Sequence, residues 1–485
     1  MKRLSLLDAC FLNMESVETP MHVGVLLTFK LPPKAGPDYL SQLVARLRGY
    51  PVSRPPFNHV LARGLLSRLA PAWEITQDID LDYHLRHSAL PRPGGERELG
   101  MLISRLHSHQ LDLSRPPWEC HVIEGLENQR FAIYFKGHHA AVDGMGGLRI
   151  LKAWLSEDAG ALNQPPPWAL PLPPNMRLPS QGPLAPVQQW LGRARSQLRA
   201  LPELYRSLAR AAHEYPNGSI SALFKAPHSL LNSNISGQRR FATQSLRLAR
   251  FKKLAEHSGT SVNDVVLAVV GGALRRYLLE LEALPRLSLV SMVPVALRPQ
   301  RGRVGGNSMS GLIVDLETQL GDPNARLAAI TASTQAGKRH VQRMSRAALG
   351  QYSLLLMAPL TLGQVTRSAT RLPPLFNLIV SNVQAAKNKL YFDGAELEGM
   401  FPQSVLFRGQ ALNVTVLGYA DALTFSFTAC HNAVPSVQRL AVHAGEALNE
   451  LEQALGIIDT SALRVVSIHS APRTRQRFAA GTDST

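Results

Sequence analysis

The sequence predicts an α/β protein of two domains. Its 485 residues exceed the length of one typical domain and suffice for two cores. Strand-like and helix-like patterns alternate over residues 1–162, and the same mixture returns over residues 239–465. A proline-rich stretch that includes Pro165-Pro166-Pro167 separates the two regions. We therefore expect two α/β units joined by an irregular crossover.

The first predicted domain, residues 1–162, contains strand patterns and helix patterns in alternation. The expected strands are Val23–Lys30, which is rich in strand formers, and Arg130–Lys136, which alternates apolar and polar residues. Helices are expected where apolar residues recur at helical spacing: around Leu40–Leu47, at Arg97–His109 and from Gly146 to Leu155.

A linker is expected at residues 163–238. Its first part is too rich in proline to form continuous helix or sheet. From Gln188 to about Ala212 a basic amphipathic helix is predicted, with leucines on one side and arginines between them. Such a helix either docks on its own protein or lies on an anionic membrane, and the pattern allows both.

The second predicted domain, residues 239–465, repeats the mixture of elements. Helices are expected at Ala249–His257, Ser261–Leu279 and Ser436–Leu455, and strands at Phe241–Leu248, Leu287–Val295, Leu375–Val380, Ala411–Leu417 and Ala422–Thr428. Residues 466–485 are basic, small and polar, and we expect them to be disordered.

Composition limits the cellular setting. The 52 Lys and Arg exceed the 35 Asp and Glu, so the formal charge is +17, which suits an anionic membrane, a nucleic acid or a phosphorylated substrate. No basic motif interleaved with aromatic residues is present, so a nucleic acid partner is not expected. Cys10, Cys120 and Cys430 are far apart, which predicts neither disulfides nor a zinc site and favours a reducing cytoplasm.

Membrane-targeting patterns are weak. Asp8 interrupts the apolar start of the chain too early for a signal peptide. The longest apolar runs, around Val265–Leu274 and Leu354–Leu362, have roughly half the length that spans a bilayer. The expectation is a soluble or peripheral protein.

The segment from His138 to Gly144 carries the most distinctive chemistry. His138 and His139 directly follow the strand that ends near Lys136, and side chains at such strand ends commonly line α/β active sites. A neutral imidazole accepts a proton near neutral pH, Asp143 can fix its tautomer or brace the loop, and Gly144 permits a backbone bend. The residues alone leave two alternatives open, a strand-capping pair of histidines and a metal site.

Other catalytic signatures are absent from the sequence. No G-x-S-x-G nucleophile elbow occurs, because Ser310 stands where Gly306-Asn307-Ser308-Met309 would need a glycine. The glycines after Asp143 do not complete a dinucleotide fingerprint, and no phosphate loop is present. The histidine segment is therefore the main catalytic candidate.

The string His138-His139-x-x-x-Asp143-Gly144 resembles the signature of the CoA-dependent acyltransferase superfamily, and further segments resemble the bacterial wax ester synthase/diacylglycerol acyltransferase family. The resemblance covers roughly residues 5–455. The sequence departs from the family pattern at two places. Pro117 stands where the family usually has leucine, and Gln384-Ala385-Ala386 stands where it usually has Pro-Gly-Pro. The matching segments are Leu111-Asp112-x-x-Arg115-Pro116-Pro117-Trp118-Glu119, Val262-Asn263-Asp264-Val265-Val266-Leu267, Val293-Pro294-Val295-x-Leu297-Arg298, Gly306-Asn307, Ser381-Asn382-Val383, and an opening with Asp8, Phe11, Glu15 and Thr19-Pro20-Met21-His22-Val23-Gly24.

This resemblance implies two chloramphenicol-acetyltransferase-like domains, each a mixed sheet flanked by helices, with an active-site tunnel between them. His139 would be the general base that draws a proton from a fatty alcohol or diacylglycerol, whose oxygen attacks a long-chain acyl-CoA without an acyl-enzyme. His138 would support it, and Asp143 would brace the loop through an ion pair. No metal or organic cofactor is implied, since CoA enters as part of the substrate.

Other residues receive expected roles. Asn263 is either a helix cap or a group that stabilises the oxyanion. Trp118 is expected to be a core residue more readily than a substrate contact. The remaining substrate-binding candidates are Asp264, for which a helix cap is the alternative, and Ser381 and Asn382, which are expected to face the tunnel. Arg298, Arg301 and Arg303 form a basic cluster suited either to CoA phosphates or to a solvated loop.

The basic surface suits association with the cytoplasmic leaflet of the inner membrane or with lipid inclusions. Three alternatives stay open: another O-acyltransferase of the superfamily, a non-catalytic lipid- or membrane-binding protein, and a nucleic-acid binder suggested by charge alone. The first differs in its acyl acceptor. The second would bind lipid without turnover, and the third would bind oligonucleotides in a salt-dependent way.

Overall fold

A computed structural model of the chain describes residues 2–4, 6–63, 71–171, 226–296, 309–344 and 373–457, together with 348–349, 351–352, 360–364, 366 and 369–371. Three sets of predictions lie outside these residues: the amphipathic helix at 188–212, the cluster of Arg298, Arg301 and Arg303, and the disordered tail at 466–485.

The first sheet has the strand order β12 (Tyr391–Phe392), β13 (Ala395–Gln403), β2 (His22–Lys30), β7 (Arg130–His138), β6 (Trp118–Leu126) and β5 (Leu85–Ala89). A small sheet of β1 (Lys2–Arg3), β4 (Ala72–Ile75) and β3 (His59–Leu61) accompanies it. Only the pairing of β5 with β6 is parallel in the six-stranded sheet, so this sheet is mixed. The elements from the N-terminal half are β1 (Lys2–Arg3), α1 (Leu6–Met14), β2 (His22–Lys30), α2 (Tyr39–Arg48), β3 (His59–Leu61), β4 (Ala72–Ile75), α3 (Leu81–His84), β5 (Leu85–Ala89), α4 (Glu96–Ser108), β6 (Trp118–Leu126), β7 (Arg130–His138) and α5 (Gly144–Trp154).

The second sheet has the strand order β10–β9–β11–β14–β15–β8. Here β11 runs parallel to both β9 and β14, and the other pairs are antiparallel. The elements of the C-terminal half are β8 (Arg239–Arg247), α6 (Leu248–His257), α7 (Val262–Glu280), β9 (Val290–Ala296), β10 (Met309–Asp315), α8 (Pro323–Arg343), β11 (Leu378–Ala386), β12 (Tyr391–Phe392), β13 (Ala395–Gln403), β14 (Leu412–Tyr419), β15 (Ala422–Cys430) and α9 (Gln438–Ala454).

Two mixed sheets flanked by helices confirm the predicted fold class. The amphipathic patterns fold as expected: in α2 the apolar residues at helical spacing, from Leu40 to Leu47, are the buried ones. The apolar run Val265–Leu274 lies in α7 and is buried on every side, which explains its length without a membrane. Within the described ranges, none of the helices combines the length and apolarity that crossing a bilayer requires.

The sequence-based domain boundaries need two corrections. The first concerns β12 and β13, which fall in the predicted second domain but pair into the first sheet. Met400 of β13 lies opposite Leu27 of β2, and Gln403 lies opposite Gly24. Phe392, Leu397 and Met400 are buried in the same apolar cluster as Leu27. The second half of the chain therefore completes the sheet of the first half.

The second correction concerns the linker. Trp168 is buried and its indole stacks on that of Trp118, with 5.3 Å between the ring centroids. Leu170 belongs to the same core cluster. At the other end of the predicted linker, Leu231 and Ile235 are buried in the core of the second half. Both ends of the stretch 163–238 are thus packed against the sheets, because aromatic and aliphatic side chains flank the prolines.

A third apolar cluster joins side chains from both halves of the chain. Phe11, Met21 and Ala140 come from the first half, while Met292 of β9 and Ile379 of β11 come from the second. The two halves thus share this core as well as the one around Leu27. The cluster of Phe11, Met21, Ala140, Met292 and Ile379 lies beside the His138–Gly144 segment because Ala140 belongs to both.

Candidate active site

The backbone around the histidine pair is fixed by neighbouring strands. His138 ends β7 opposite His22 of β2. The N–H of His139 donates to the carbonyl of Met21 at 2.8 Å, and the N–H groups of Ala141 and Val142 both donate to the carbonyl of His138. These bonds turn the chain sharply after the strand, as expected for a strand-end loop.

His138 is fully buried and uses both ring nitrogens. Its Nδ1 accepts the N–H of Ala140 at 3.1 Å, so the ring proton of the neutral form lies on Nε2. That Nε2 lies 2.8 Å from a carboxylate oxygen of Glu15 and donates to it. Both ring nitrogens of His138 are thus bonded within the protein, and the ring supports the loop.

His139 has a different environment. Its ring stacks on Phe11, with 4.0 Å between the centroids and 20° between the planes. Its Nδ1 is shut off from solvent and has no hydrogen-bond partner among the described residues, while the side chain as a whole is half-buried. Burial lowers the pKa of His139 to about 4, against the opposing charge of Asp143. The imidazole is therefore neutral at physiological pH.

Asp143 caps the helix that follows. Its carboxylate accepts the N–H of Gly146 at the start of α5. Asp143 thus braces the loop as a helix cap, and among the described residues no ion pair reaches Asp143.

Gly144 was expected to permit a backbone bend, and the structure differs. Its backbone is outside the left-handed region, and a Cβ there would meet no atom within 4 Å. Neither a backbone bend nor close packing therefore requires a glycine at this position.

Two candidates far apart in sequence are brought together. The Nδ2 of Asn382 in β11 donates to the Oδ1 of Asn263 in α7 at 3.2 Å. Asn263 is the second residue of its helix, and the cap is Ser261, so the capping alternative for Asn263 is wrong. Ser381 projects to the opposite face of β11 from Asn382, on the side of Ile379 and the shared apolar cluster.

Asp264 is a structural residue and not a substrate contact. One of its carboxylate oxygens accepts both the N–H and the hydroxyl of Ser261, which completes a capping box. The other oxygen accepts the hydroxyl of Thr334 in α8 at 2.6 Å. The residue is 2% exposed, and both of its carboxylate oxygens are bonded within the protein.

Trp118 is likewise a core residue, and its place among the substrate-binding candidates is corrected. Its indole N–H donates to the carbonyl of Phe57 at 2.8 Å, and His84 stacks on its face.

Two cavities, of about 520 and 680 Å³, are lined by residues between 48 and 116, and His139 lines neither of them.

Phe11 and Glu15 contact the two histidine rings, and the sequence analysis predicted no function for either residue. Phe11 and Glu15 are four residues apart, the spacing that places side chains on one helical face, and both belong to the opening motif. This spacing is the feature of the sequence from which a role for Phe11 and Glu15 could have been predicted.

Among the described residues, no group of three or more His, Cys, Asp or Glu side chains is placed to hold a metal ion.

The chain matches two family models. Residues 4–266 match the wax ester synthase/diacylglycerol acyltransferase catalytic domain, and residues 305–452 match the C-terminal domain of the same family. Together the two matches cover most of the chain, including the His138–Gly144 segment and the Asn263–Asn382 pair.

Whole-length relatives agree with these matches. A Mycobacterium tuberculosis protein provisionally named a diacylglycerol O-acyltransferase is 41% identical, with 94% of this chain and 98% of the relative covered. A Mycobacterium bovis protein of the same provisional name is 40% identical, with 93% of this chain and 98% of the relative covered.

Solved structures show the same architecture. The wax ester synthase/diacylglycerol acyltransferase from Marinobacter aquaeolei VT8 is 34% identical and superposes with a TM-score of 0.76, over 94% of this chain and all of that one. The first condensation domain of the calcium-dependent antibiotic synthetase shares the fold, with a TM-score of 0.56 at 16% identity over 93% of this chain and 96% of that one. The chain therefore belongs to the wax ester synthase/diacylglycerol acyltransferase family and is an O-acyltransferase.

Proposed function

We propose that the chain transfers a long-chain acyl group from acyl-CoA to the hydroxyl of a fatty alcohol or a diacylglycerol, with His139 as general base. The observation that carries this proposal is the state of His139: a neutral imidazole at the end of β7, beside an apolar cluster, with one ring nitrogen closed to solvent. The names of the relatives support the diacylglycerol acceptor, and the name of the Marinobacter protein supports both acceptors.

The proton path follows from the two ring nitrogens. Because Nδ1 is buried, we assign proton transfer to Nε2. Nε2 takes the proton of the acceptor hydroxyl as the oxygen attacks the thioester carbonyl. When the tetrahedral intermediate collapses, the C–S bond breaks and the imidazolium returns the proton to the sulfur of CoA. The charges of Asp143 and Asp8 favour the imidazolium in between.

Direct transfer is the simplest route for these residues. Among the described residues, no serine or cysteine is hydrogen-bonded to His139. Cys10 lies one residue before Phe11, and burial raises the pKa of its thiol, which disfavours the nucleophilic thiolate. A covalent acyl-enzyme is therefore not part of the proposal, and neither is an organic or metal cofactor.

The shared apolar cluster is the proposed site of the acyl chain. Met14, Met21 and Ala140 contribute to this cluster from the first half, and Met292 and Val405 from the second. Methionine side chains adapt to flexible alkyl groups, and burial of each methylene contributes about 0.8 kcal/mol. A tunnel between the halves would place the thioester next to His139.

The remaining roles are proposals of the same kind. Asn263, held by Asn382, would stabilise the oxyanion, and Ser381 would face the substrate. Arg298, Arg301 and Arg303 would bind CoA phosphates. The net charge of +17 supports a cytoplasmic protein on the inner membrane or on lipid inclusions, where the apolar acceptor resides.

The test is thiol release from palmitoyl-CoA in the presence of hexadecanol or dioleoylglycerol, with the lipid product identified by chromatography. We expect His139→Ala to lower kcat by about 10²- to 10⁴-fold, the usual contribution of a general base. His257→Ala, at an exposed position at the end of α6, is the matched control and should keep the wild-type rate.

Equal CoA release by wild type and His139→Ala would refute the assignment of the base. A wild-type protein that binds palmitoyl-CoA but releases no CoA with either acceptor would support the lipid-binding alternative. Turnover with a different alcohol alone would place the enzyme elsewhere among the O-acyltransferases.

A further inference from the structure

Helix α1 and the loop after it lie against both histidines. Phe11 contacts the ring of His139, Glu15 bonds the ring of His138, and Met21 accepts the N–H of His139. We infer that Phe11 and Glu15 are positioning residues that hold His139 in its reactive orientation, Phe11 by direct stacking and Glu15 through His138. This inference rests on the proposed role of His139 as general base.

The first step runs from Glu15 to His138. The N–H of Ala140 occupies Nδ1 of His138, so this ring can stay neutral only with its proton on Nε2, facing Glu15. Both side chains are shielded, with 0% and 7% exposure for His138 and Glu15. A buried acceptor without competing water fixes the ring more firmly than an exposed one.

The second step runs from His138 to the loop that carries His139. The ring of His138 receives the N–H of Ala140, while its carbonyl receives those of Ala141 and Val142. His138 is thus bonded to three successive residues after His139. If its ring rotates, the N–H of Ala140 loses its partner and the turn that orients His139 loosens.

The third step is the stack of Phe11 on His139. A nearly parallel ring at 4.0 Å covers one face of the imidazole and prevents its rotation in that direction. The same contact excludes water, and burial is the main reason that the pKa of His139 is low. Asp8, one helical turn before Phe11, adds a carboxylate whose charge opposes that shift.

A purely structural role makes different predictions. If Phe11 and Glu15 only fill space, their replacement changes the melting temperature and leaves the titration of His139 and the kcat of the folded protein unchanged. If they position His139, kcat falls while KM for acyl-CoA stays similar, and the pKa of His139 moves when the stack is removed.

The experiment compares four variants in the palmitoyl-CoA assay. We expect Glu15→Ala and Phe11→Leu to lower kcat by about 10- to 100-fold, the scale of a small misplacement of a reacting group. Glu15→Gln keeps an acceptor for His138, and Phe11→Tyr keeps the ring, so both should restore kcat to within a few-fold of wild type. Glu18→Ala is the matched control, because Glu18 lies in the same loop but pairs with Arg408.

A second measurement does not depend on turnover. Nitrogen-15 NMR of the histidine rings, assigned with His138→Ala and His139→Ala, reports the tautomer of His138 and the titration of His139. We expect Glu15→Ala to change the tautomer signal of His138. Phe11→Leu should raise the pKa of His139 towards the ordinary 6.5, since water then reaches the ring.

The outcomes separate the two proposals. An inactive wild type whose ring signals respond as expected refutes the proposed function and keeps the positioning roles. An active wild type whose Glu15→Ala and Phe11→Leu variants keep kcat within twofold and leave the ring signals unchanged overturns the positioning roles. If either of these variants fails to fold, Glu15→Gln and Phe11→Tyr decide, because loss of kcat in these conservative variants also contradicts the inference.

Discussion

Adjacent residues at the end of an extended strand project to opposite sides, and this separates the functions of His138 and His139. One ring lies between Glu15 and the N–H of Ala140, where every polar atom is used. The other lies against Phe11, with one nitrogen buried and the ring half-buried. The same residue type is therefore a loop support in one position and a candidate base in the next.

The proposed role of His139 makes a prediction about the pH dependence of the reaction. Burial lowers the pKa of His139 to about 4, so the neutral imidazole that we propose as the base is present throughout the physiological range and disappears only below it. We expect kcat/KM to be nearly constant from pH 5 to 8 on account of this group, and to fall roughly tenfold per unit below the midpoint. Steady-state rates, with circular dichroism to verify folding, measure this; a midpoint near 6.5 would contradict it.

The contact between Asn263 and Asn382 makes a second prediction at this scale. We expect Asn263→Ala and Asn382→Ala each to lower kcat/KM by about tenfold, and the double variant to lose little more, a coupling of about 1 kcal/mol. The physical reason is that Asn382 acts by holding the amide of Asn263.

Four kcat/KM values complete the cycle for the asparagine pair. Asn388→Ala removes an exposed amide that bonds Glu157 and serves as the control. Additive losses from Asn263→Ala and Asn382→Ala would show that the two amides act independently.

Sequence reasoning found the histidines because they stand in a short local motif, and it named both asparagines. It could not distinguish Asn263 from Asp264, since adjacent polar residues at a helix start look alike. Only tertiary contacts separate them: Asp264 faces Ser261 and Thr334, whereas Asn263 faces Asn382. Phe11 and Glu15 were not assigned roles, because their partners lie more than 120 residues away in the chain.

At the scale of elements, the starts of two helices set the geometry of the site. Asp143 caps α5 directly after the histidine loop, and the capping box of α7 places Asn263 at its second position. Strand β7 ends just before the first cap, whereas β11 passes Asn263 with its central residue Asn382. The histidine loop and Asn263 thus lie where helices begin, as in many α/β enzymes.

Replacement of Asp264 should affect stability and not chemistry. Asp264→Ala leaves the N–H and hydroxyl of Ser261 and the hydroxyl of Thr334 without their acceptor, so we expect a loss of about 1–3 kcal/mol in the free energy of unfolding. Urea titration measures this loss, and the kcat of the folded protein should stay at the wild-type value.

Asp322→Ala is the control for this variant. Asp322 caps α8 from an exposed position, and its loss should cost only about 1 kcal/mol. A large fall in kcat for folded Asp264→Ala would restore Asp264 as a substrate contact.

Elements with strong local periodicity were predicted well, whereas a strand that depends on pairing with a distant strand was not. The predicted helix Arg97–His109 is α4 (Glu96–Ser108), and the predicted strand Val23–Lys30 is β2 (His22–Lys30). By contrast, β13 alternates apolar and acidic residues only over Ala395–Glu398, and the irregularity between Leu397 and Gly399 interrupts the pattern. It is a strand because β2 offers it a long backbone edge, a contact that no local pattern reveals.

At the scale of the whole molecule, the two halves are interdependent. β13 pairs with β2 along the first sheet. Arg239, which begins β8 in the second sheet, is buried and donates to the carbonyl of Glu18, and its N–H donates to the hydroxyl of Ser108 in α4. The shared apolar cluster adds a common core.

A fragment of residues 1–238 should therefore not fold by itself. Without β13, β2 would expose an unpaired edge, and the core around Leu27 and Phe29 would lose Phe392, Leu397 and Met400. We expect this fragment to aggregate, and co-expression with residues 239–485 to restore a soluble complex. Size-exclusion chromatography and circular dichroism decide; a monomeric, cooperatively unfolding 1–238 fragment would contradict this.

The crossover of β12 and β13 has a consequence for recombination within the family. A chimera joined in the proline-rich stretch would combine β2 from one parent with β13 from the other. The boundary between the two parental sequences would then lie between two paired strands and within their shared core. Residues 391–403 should instead come from the parent that supplies β2. An exchange of the N-terminal half should therefore carry this hairpin with it, so that β2 and β13 keep their native pairing.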